Sequence, residues 1–586
     1  MNLGSFEVVD KKIVIRIKDR ICETADELIS SDLFKFTLKN CIKELKKHDS
    51  YLLKIFGTPD ISSADVTRFV KMLQFLSKMN SDLVPNVVEG SKVFFKDKTV
   101  LNEFVEHLYN YWRNFDRFII CESESNNLET RPYRIFNNTI EQLTHLIRAT
   151  YRDIQENITG THPKIYRQIR AGAEIATIAV EADIPFKTQD YKKLANVPVI
   201  RQILLYPPLI LNPPMNTRSG VFERVDKNPI KNVVVDPKDW LCYPAKVGSL
   251  LILIYFHKKF SELGFSLSNL FELADQGELK KTPDAVYLFG VDKESLKNIG
   301  KSSTVFFDDD KDGPLVAAVP NDSEFGYFGY LKKMVLTLHN VIMIKRKILP
   351  FHGALVKVML PKNKVATILL IGDTGAGKSE TLEALRDLGK AEIQDMIIIA
   401  DDMGSIIIDS DSQVKGYGTE IGAFLRLDDL KPGYAFGQMD RAIIMSPNKI
   451  NARIVLPVAP FERVIKGSKI DFILYANNYE EIDEDHPIVE RIDGYEQALK
   501  VFREGTVMSK GTTTSTGLVH SYFANIFGPL QYRRQHDEIA LEYFKHFYKN
   551  DIFVGQMRTR LGISGYERKG PQQAAVELLK LVKTLK

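Results

Sequence analysis

The segment from Gly372 to Ser379 carries the clearest chemistry in this sequence. It reads GDTGAGKS and matches the pattern G-x-x-x-x-G-K-[ST], which binds nucleotide phosphates. Its glycines let the backbone curl so that successive N–H groups point at phosphate oxygens, while Lys378 neutralises the transferred phosphate and the Ser379 hydroxyl ligates a nucleotide-bound Mg²⁺. The predicted phosphate-binding residues are Gly372, Asp373, Thr374, Gly375, Ala376, Gly377, Lys378 and Ser379.

Two adjacent carboxylates, Asp401 and Asp402, follow an apolar run downstream of this loop. The run MIIIA predicts a buried strand, and the end of such a strand beside a phosphate-binding loop is where a Walker B acid belongs. We expect one aspartate to face a divalent cation while its neighbour orients water or the Ser379 hydroxyl. A solvated turn is the alternative interpretation of the same pair.

A lysine pair, a histidine and a tyrosine precede the loop in the sequence. Lys332 and Lys333 come before His352, which is 19 residues after Lys333, and Tyr327 lies six residues before Lys333. Taken alone, a lysine pair on an amphipathic helix is usually a solvated face, and a lone histidine after a proline is usually structural. The stretch that contains these residues gives them a more specific interpretation.

The stretch that contains these residues, FGYFGYLKKMVLTLHNVIMIKRKILPFHG, resembles the phosphoenolpyruvate carboxykinase family. The resemblance implies a Mn²⁺ ion held by Lys333, His352 and Asp402, with Lys332 in the catalytic machinery and Tyr327 in contact with the substrate. A lysine ligates a metal only as the neutral amine, which the charge of the metal and partial burial both favour.

Downstream segments extend the resemblance over about residues 320–565. EIGAFLRL is similar to the family segment that bears a phosphate-contacting cation, here Arg426 in place of the usual lysine. INARIVLP places Arg453 where the family has an arginine that contacts both the substrate and the transferring phosphate, and a bidentate guanidinium suits either group. In MRTRLGI, the resemblance implies an arginine near the nucleotide, Arg558 or Arg560.

Other positions depart from the family pattern. Arg218, in NTRSG, is the candidate for the arginine that grips the substrate carboxylate, in surroundings that match poorly. The loop ends in GKSE, which is similar to the related HPr kinase/phosphorylase, and Met403 and Gly404 stand where the family has a histidine shortly after the carboxylates. These departures leave the identity of the substrate open.

Three functions therefore remain as hypotheses. The first is carboxykinase chemistry, in which oxaloacetate loses CO₂ and the enolate takes the γ-phosphoryl group of ATP or GTP, or a phosphoryl group from pyrophosphate, to give phosphoenolpyruvate. The second is a kinase of the same superfamily that phosphorylates a protein or another small molecule, with Asp401 as general base. The third is a nucleotide-sensing protein without turnover, in which the N-terminal helices transmit the response to nucleotide binding.

The elements expected to position the site alternate between helix and strand. LKKMVLTLHNVIMI predicts an amphipathic helix, and ALVKVML and ATILLIG predict two strands joined by the polar turn PKNK. The second strand runs into the phosphate-binding loop, and ETLEALRDL predicts the helix that follows. A strand–loop–helix order is the context that a phosphate-binding loop requires.

Three domains of a mixed α/β (α+β) fold are predicted. Residues 1–185 read as a helical region, with helical spacing from about 31 to 111 and again from about 139 to 177. Residues 186–325 mix short β-branched runs with prolines and glycines and predict a mixed-sheet, substrate-side domain. Residues 326–586 form the predicted carboxykinase-like catalytic domain.

Composition limits the location and the partners. The formal net charge of +4 over 586 residues gives no electrostatic case for nucleic acid. The longest apolar run, residues 250–256, is far shorter than the roughly 20 residues that span a bilayer, so no membrane association is predicted. Four cysteines without paired spacing and a charged N-terminus favour the cytoplasm. A protein partner for the N-terminal helices stays open.

Overall fold

The computed structural model has the mixed α/β fold that the sequence predicts, with about 40% helix and 27% strand. It describes residues 5–17, 21–122, 131–186, 188–308, 313–373, 375–389, 392–430, 436–510, 516–526 and 529–585. The chain forms two compact units. Unit 1 comprises Met1–Glu181 and Pro198–Tyr206, and unit 2 comprises Ala182–Val197 and Pro207–Lys586.

Unit 1 contains a sheet as well as helices. Its elements are β1 Ser5–Val9, β2 Lys12–Ile17, α1 Ala25–Ser30, α2 Asp32–Lys47, α3 Ser63–Leu76, α4 Val84–Val87, α5 Lys98–Arg113, β3 Asp116–Glu122, α6 Arg131–Thr159, β4 Ile175–Val180 and β5 Val199–Leu205. The strands follow the order β1-β2-β3-β4-β5, with β2, β3 and β4 parallel to one another and β1 and β5 antiparallel to their neighbours.

The helical prediction for residues 139–177 is wrong at its C-terminal end. Helix α6 ends at Thr159, and Ile175–Val180 forms strand β4, which is buried along its whole length between β3 and β5. A strand covered on both faces is a continuous apolar run, and a short run of this kind cannot be told from a buried helix by periodicity. Pairing with distant strands decides the outcome here.

Unit 2 includes both stretches that the sequence analysis treats as separate domains, residues 186–325 and 326–586. Its strands are β6 Leu209–Leu211, β7 Glu223–Val225, β8 Trp240–Val247, β9 Leu250–His257, β10 Glu272–Leu273, β11 Ala285–Val291, β12 Val305–Phe307, β13 Leu315–Pro320, β14 Leu349–Met359, β15 Val365–Ile371, β16 Asp395–Ala400, β17 Met403–Ile408, β18 Val414–Gly418, β19 Gly422–Arg426, β20 Ile443–Met445, β21 Arg453–Pro457, β22 Ser468–Lys469, β23 Phe472–Asn477, β24 Val489–Arg491, β25 Thr506–Lys510, β26 Thr516–His520 and β27 Phe553–Arg558. Its helices are α7 Ser261–Ser266, α8 Gln276–Leu279, α9 Phe328–Lys345, α10 Lys378–Asp387, α11 Phe461–Ile465, α12 Tyr495–Glu504, α13 Pro529–Lys549 and α14 Lys569–Lys583.

The strands of unit 2 form four sheets. One has the order β8-β9-β11-β13-β12-β7, with β10 paired to β8, and a second has the order β22-β18-β17-β14-β15-β23-β27-β24, with β16 also paired to β14. The small sheet β19-β21-β20-β6 and the hairpin β25-β26 complete the set. The second sheet carries the predicted phosphate-binding loop, which follows β15 and precedes α10 in the strand–loop–helix order that the sequence predicts.

Helix α9 is buried around its whole circumference rather than on one face. Every residue of the helix is buried except Lys333 and Lys345. The amphipathic helix predicted here is therefore wrong, because apolar residues surround the axis and a helix of this kind lies inside a protein. As a consequence Lys332 is a buried lysine and not part of a solvated face.

Within the described residues, none of the helices is both long and apolar enough to cross a membrane.

Candidate functional site

A fork in the second sheet brings the predicted metal ligands together. Strand β14 pairs with β15 along one edge, while its other edge pairs first with β17, over Leu349–His352, and then with β16, over Leu355–Met359. Asp401 and Asp402 are the two residues that join β16 to β17. The carboxylates therefore lie where the two partners of β14 diverge, beside His352.

The ring of His352 has a backbone carbonyl on one nitrogen and a carboxylate on the other. Its Nδ1 hydrogen-bonds the carbonyl of Ala524, and its Nε2 lies 2.9 Å from Oδ1 of Asp402. Because a carbonyl and an ionised carboxylate both only accept, the ring donates from Nδ1 and from Nε2, and Nε2 becomes available to a metal only when it gives up its proton. A histidine that ligates a metal commonly has this arrangement, with the second nitrogen bonded to a backbone carbonyl.

Lys332 is held by two carboxylates. Its Nζ lies 2.7 Å from Oδ2 of Asp402 and 3.1 Å from Oε1 of Glu420. Burial alone would lower the pKa of Lys332, but the two carboxylates outweigh it and raise the pKa above its ordinary value. Burial likewise tends to raise the pKa of Asp402, yet the charges of Lys332 and His352 hold it well below its usual range.

Glu420 is the buried partner that sequence analysis missed. Its side chain is 1% exposed, and burial, together with the negative charge of Asp402, raises its pKa to about 7 although Lys332 opposes the shift. The available signal was a glutamate inside the apolar segment TEIGAFL, because such a residue is almost never fully buried unless it is paired.

Lys333 has the opposite electrostatic environment from Lys332. Burial lowers the pKa of Lys333 to about 8, and the positive charges of Arg218 and Lys332 act in the same direction while Asp402 opposes them. The lowered pKa increases the fraction of Lys333 that is a neutral amine, and only the neutral amine has a lone pair for a metal.

The residues around the fork fit a divalent cation. The candidate set is Nε2 of His352 once its proton is lost, a carboxylate oxygen of Asp402 and the neutral amine of Lys333. In the part of the chain that the structure describes, no group of three or more His, Cys, Asp and Glu forms such a site. A cation here thus depends on lysine as its third ligand.

The predicted phosphate-binding loop is joined to this centre by a backbone hydrogen bond. The backbone N–H of Gly372 donates to the carbonyl of His352 at 3.3 Å, so the loop begins where the histidine strand lies alongside β15. Gly375 and Gly377 have φ angles of +79° and +92°, which glycine adopts without strain. Lys378 donates to the carbonyl of Gly372 at 2.5 Å.

Two neighbouring segments brace the loop. Asn478 Nδ2 donates to the carbonyl of Gly375 at 2.9 Å, and Thr559 Oγ1 donates to the carbonyl of Ala376 at 2.7 Å. Neither residue was predicted, because each follows a strand that pairs with the sheet far from the loop in sequence. The other predicted loop residues have different surroundings. Lys378 also donates to the carbonyl of Asp373 at 3.1 Å, and Ser379 is exposed in the first turn of α10. Thr374 lies outside the described residues.

Arg426 and Arg453 are direct cross-strand neighbours on β19 and β21. The guanidinium of Arg453 lies 5.3 Å from the ring of Phe424, and the ammonium of Lys332 lies 5.8 Å from the same ring. Arg453 also hydrogen-bonds Tyr327, whereas its buried Nε has no hydrogen-bond partner among the described residues. A buried donor of this kind is suited to an anionic ligand.

Tyr327 and Arg218 lie in the same neighbourhood. Tyr327 is 7% exposed at the N-terminus of α9, and its ring centroid is 6.0 Å from that of Phe424. Arg218 acts electrostatically on both Tyr327 and Lys333, donates to the carbonyl of Gly220 at 2.7 Å and stacks on Phe222 at 4.9 Å. The structure therefore brings Arg218 to the candidate site in spite of its poorly matching sequence context.

The two arginines near the C-terminus differ in their partners. Arg558 is 1% exposed and forms ion pairs with Glu480 and Glu490, both at 2.8 Å, which identifies it as structural. Arg560 follows the loop-bracing Thr559, stacks on Tyr566 at 4.1 Å and adopts a left-handed backbone with φ +51°. Arg560 is therefore the better candidate of the two for contact with a nucleotide.

Asp401, the second carboxylate at the fork, is partly exposed. Its charge raises the pKa of both Lys332 and Glu420. This places Asp401 within electrostatic reach of Lys332 and Glu420.

Comparisons with known proteins add no assignment, since no protein-family model matches this chain and no curated protein matches it significantly.

Proposed function

We propose that this protein is a carboxykinase-like phosphoryl-transfer enzyme that converts oxaloacetate and a phosphoryl donor to phosphoenolpyruvate, CO₂ and the dephosphorylated donor. The observation that carries the proposal is the hydrogen bond from Gly372 to the carbonyl of His352. It joins a phosphate-binding loop to a centre suited to a divalent cation, and phosphoryl transfer to an enolate requires both in one place.

The substrate carboxylate would be bound by Arg453 and Arg218. The buried Nε of Arg453 has no hydrogen-bond partner within the part of the chain that the structure describes, and Arg218 adds a second positive charge close to Lys333. Tyr327, bonded to Arg453, orients that guanidinium. Two arginines and a tyrosine hold a dicarboxylate in one orientation, which lowers the entropic cost of reaching the transition state.

Cleavage of the C–C bond releases CO₂ and leaves an electron pair on the enolate, whose oxygen then attacks the phosphoryl group. A Mn²⁺ ion on Lys333, His352 and Asp402 would supply positive charge to that oxygen. Lys378 and Arg426 neutralise charge on the transferred phosphoryl group, and the backbone of the loop holds the donor in line. Ser379 would ligate Mg²⁺ at the nucleotide.

Lys332 serves a positioning role in this proposal. Its two ion pairs fix the carboxylate of Asp402 and bring Glu420 into the wall of the site. With Asp402 held as an anion, one of its oxygens stays turned towards His352. The four cysteines are free thiols, in keeping with the proposed cytoplasmic location.

The test is a coupled assay of the purified full-length protein with oxaloacetate, Mn²⁺, Mg²⁺ and ATP, GTP or pyrophosphate, following phosphoenolpyruvate. We expect product from the wild type, loss of at least about 10³-fold in kcat for Lys333→Ala and His352→Ala, and little change for Lys71→Ala on the exposed side of α3. Tight binding of Mg-nucleotide without phosphoenolpyruvate would contradict the proposal and favour a kinase or a nucleotide sensor.

A further inference from the structure

A cavity of about 1350 Å³ separates two apolar cores inside unit 1. Leu73 and Leu108 on its wall belong to the core formed among the helices, whereas Ile17, Ile119 and Leu143 belong to the core between α6 and the sheet. The two cores thus face each other across a space. Native proteins pack with few voids larger than a water molecule, so a space of this size is suited to an occupant.

The charges on the wall are neutralised by the protein itself. Arg117 donates to the carbonyl of Gly172 at 2.7 Å and pairs with Glu174 at 3.3 Å, and Arg16 pairs with Glu122 at 2.9 Å. Apolar side chains make up most of the remaining wall, including those of Ile15, Phe34, Leu108, Trp112, Ile147 and Ala173. A ligand inside the cavity therefore meets hydrocarbon and few charges.

One buried polar group on the wall lacks a partner. Thr150 is 5% exposed, and its hydroxyl has no hydrogen-bond partner among the described residues. Charged and hydroxyl-bearing residues from the start of α2, including Ser31, Asp32 and Lys35, also line the cavity. Lys35 has a side chain that is 44% exposed, so this edge of the cavity reaches solvent.

We propose that the cavity binds a long-chain acyl group. Ligand pockets usually measure about 300–1,000 Å³, and a larger, apolar and partly open space suits an extended chain better than a compact polar ligand. A nucleotide or sugar needs many hydrogen bonds, whereas this wall offers few free ones. The polar end of the ligand would lie at the start of α2, near Lys35.

Binding of cis-parinaric acid, a fluorescent fatty acid, to the full-length protein tests the proposal. We expect saturable binding to the wild type and an affinity loss of about tenfold or more for Ala173→Phe, which fills the cavity, since excluding part of an acyl chain removes apolar burial. Ala64→Phe adds the same ring on the exposed side of α3 and should bind like the wild type. Thr150→Met is a second filling variant should Ala173→Phe fail to fold.

Competition separates the sources of the acyl group. Displacement by oleate identifies a free fatty acid as sufficient, and displacement by oleoyl-coenzyme A but not by oleate identifies an acyl thioester; either supports the proposal. Absence of saturable binding to the wild type overturns it, as does unchanged affinity in a folded filling variant. None of these results depends on phosphoenolpyruvate formation.

Discussion

Two consecutive lysines in helix α9 have opposite electrostatic properties. Lys332 is paired with Asp402 and Glu420, while burial and neighbouring cations lower the pKa of Lys333 to about 8. The difference arises because adjacent residues of a helix point about 100° apart, so one lysine faces the carboxylates and the other faces Arg218. A family resemblance predicted that both would matter, but sequence spacing could not assign their charge states.

Methionine at these two positions should change stability in opposite directions. Lys332→Met leaves two carboxylates in the site without their counter-charge and should lower the free energy of unfolding by about 3 kcal/mol at pH 7. Lys333→Met removes an unfavourable buried charge and should raise it, by at most about 3 kcal/mol. Urea unfolding of the two variants measures both changes in the free energy of unfolding. Changes of the same sign and size would contradict the opposite electrostatic environments of Lys332 and Lys333.

The effect of Lys333 should also depend on pH. The unfolded lysine titrates near 10.5 and the folded one near 8, so between these pH values the unfolded state binds more protons. The free energy of unfolding of the wild type should therefore gain a contribution as pH rises from about 8 to about 10.5. The advantage of Lys333→Met should shrink over the same window, as unfolding titrations at several pH values would reveal.

At the scale of elements, the bracing of the phosphate-binding loop gives a specific expectation. Thr559→Val keeps the shape of the side chain but leaves the carbonyl of Ala376 without its donor, so nucleotide affinity should fall about tenfold. Thr381→Val in α10 is the matched control, because this buried threonine hydroxyl has no hydrogen-bond partner among the described residues. Calorimetric titration with Mg-nucleotide distinguishes them, and equal losses would contradict the bracing role.

The turn that holds His352 in place is strained. Phe523, Ala524 and Asn525 are consecutive residues with left-handed φ angles of 46°, 57° and 61°, and Ala524 supplies the carbonyl that His352 Nδ1 contacts. Left-handed backbone costs about 1–2 kcal/mol per residue for L-amino acids, so the surrounding packing must enforce it. Phe523 lies in an aromatic cluster with Phe502 and Phe544, which anchors the turn.

Substitution of Asn525 isolates the effect of this turn, because its side chain is exposed. Asn525→Val disfavours the left-handed conformation and should weaken Mn²⁺ binding several-fold without touching a proposed ligand. Asn525→Gly relieves the strain and should bind Mn²⁺ like the wild type. Paramagnetic titration of Mn²⁺ compares the two, and identical affinity in both variants would show that the turn does not position His352.

Local sequence patterns predicted the helices and strands that are defined by their own residues. They failed where contacts with residues far along the chain determine the structure. The strands around PKNK and the helix after the phosphate-binding loop are present as predicted, since each has its period and its turn residues. Strand β4 was misread as helix, and Glu420, Asn478 and Thr559 were missed, because their roles depend on contacts with residues far along the chain. The spacing of residues along the chain does not predict these contacts.

At the scale of the whole molecule, the two units are interleaved along the chain. Unit 1 ends at Glu181 and then regains Pro198–Tyr206, which contributes strand β5 to its sheet. The sequence analysis expected a boundary near residue 185, and composition could not indicate that a later strand returns. Strand β5 pairs with all of β4, so unit 1 is incomplete without it.

Fragments that end on either side of β5 should therefore behave differently. Residues 1–181 leave the edge of β4 without its partner and should aggregate, because an unpaired apolar edge recruits other strands. Residues 1–206 contain all five strands of unit 1, with β4 paired on both edges, and should be more soluble than residues 1–181. Size-exclusion chromatography of both fragments makes the comparison, and a monomeric, folded 1–181 fragment would contradict it.

The same interleaving sets an order of events during biosynthesis. The ribosome releases β1 to β4 first, yet β4 lacks its antiparallel partner when Glu181 emerges, because β5 is still to be made. By the time β5 appears, residues 182–197 of the other unit have already left the ribosome. During this interval of translation the edge of β4 is unpaired. A chaperone that binds exposed strand edges would act on β4 in that period.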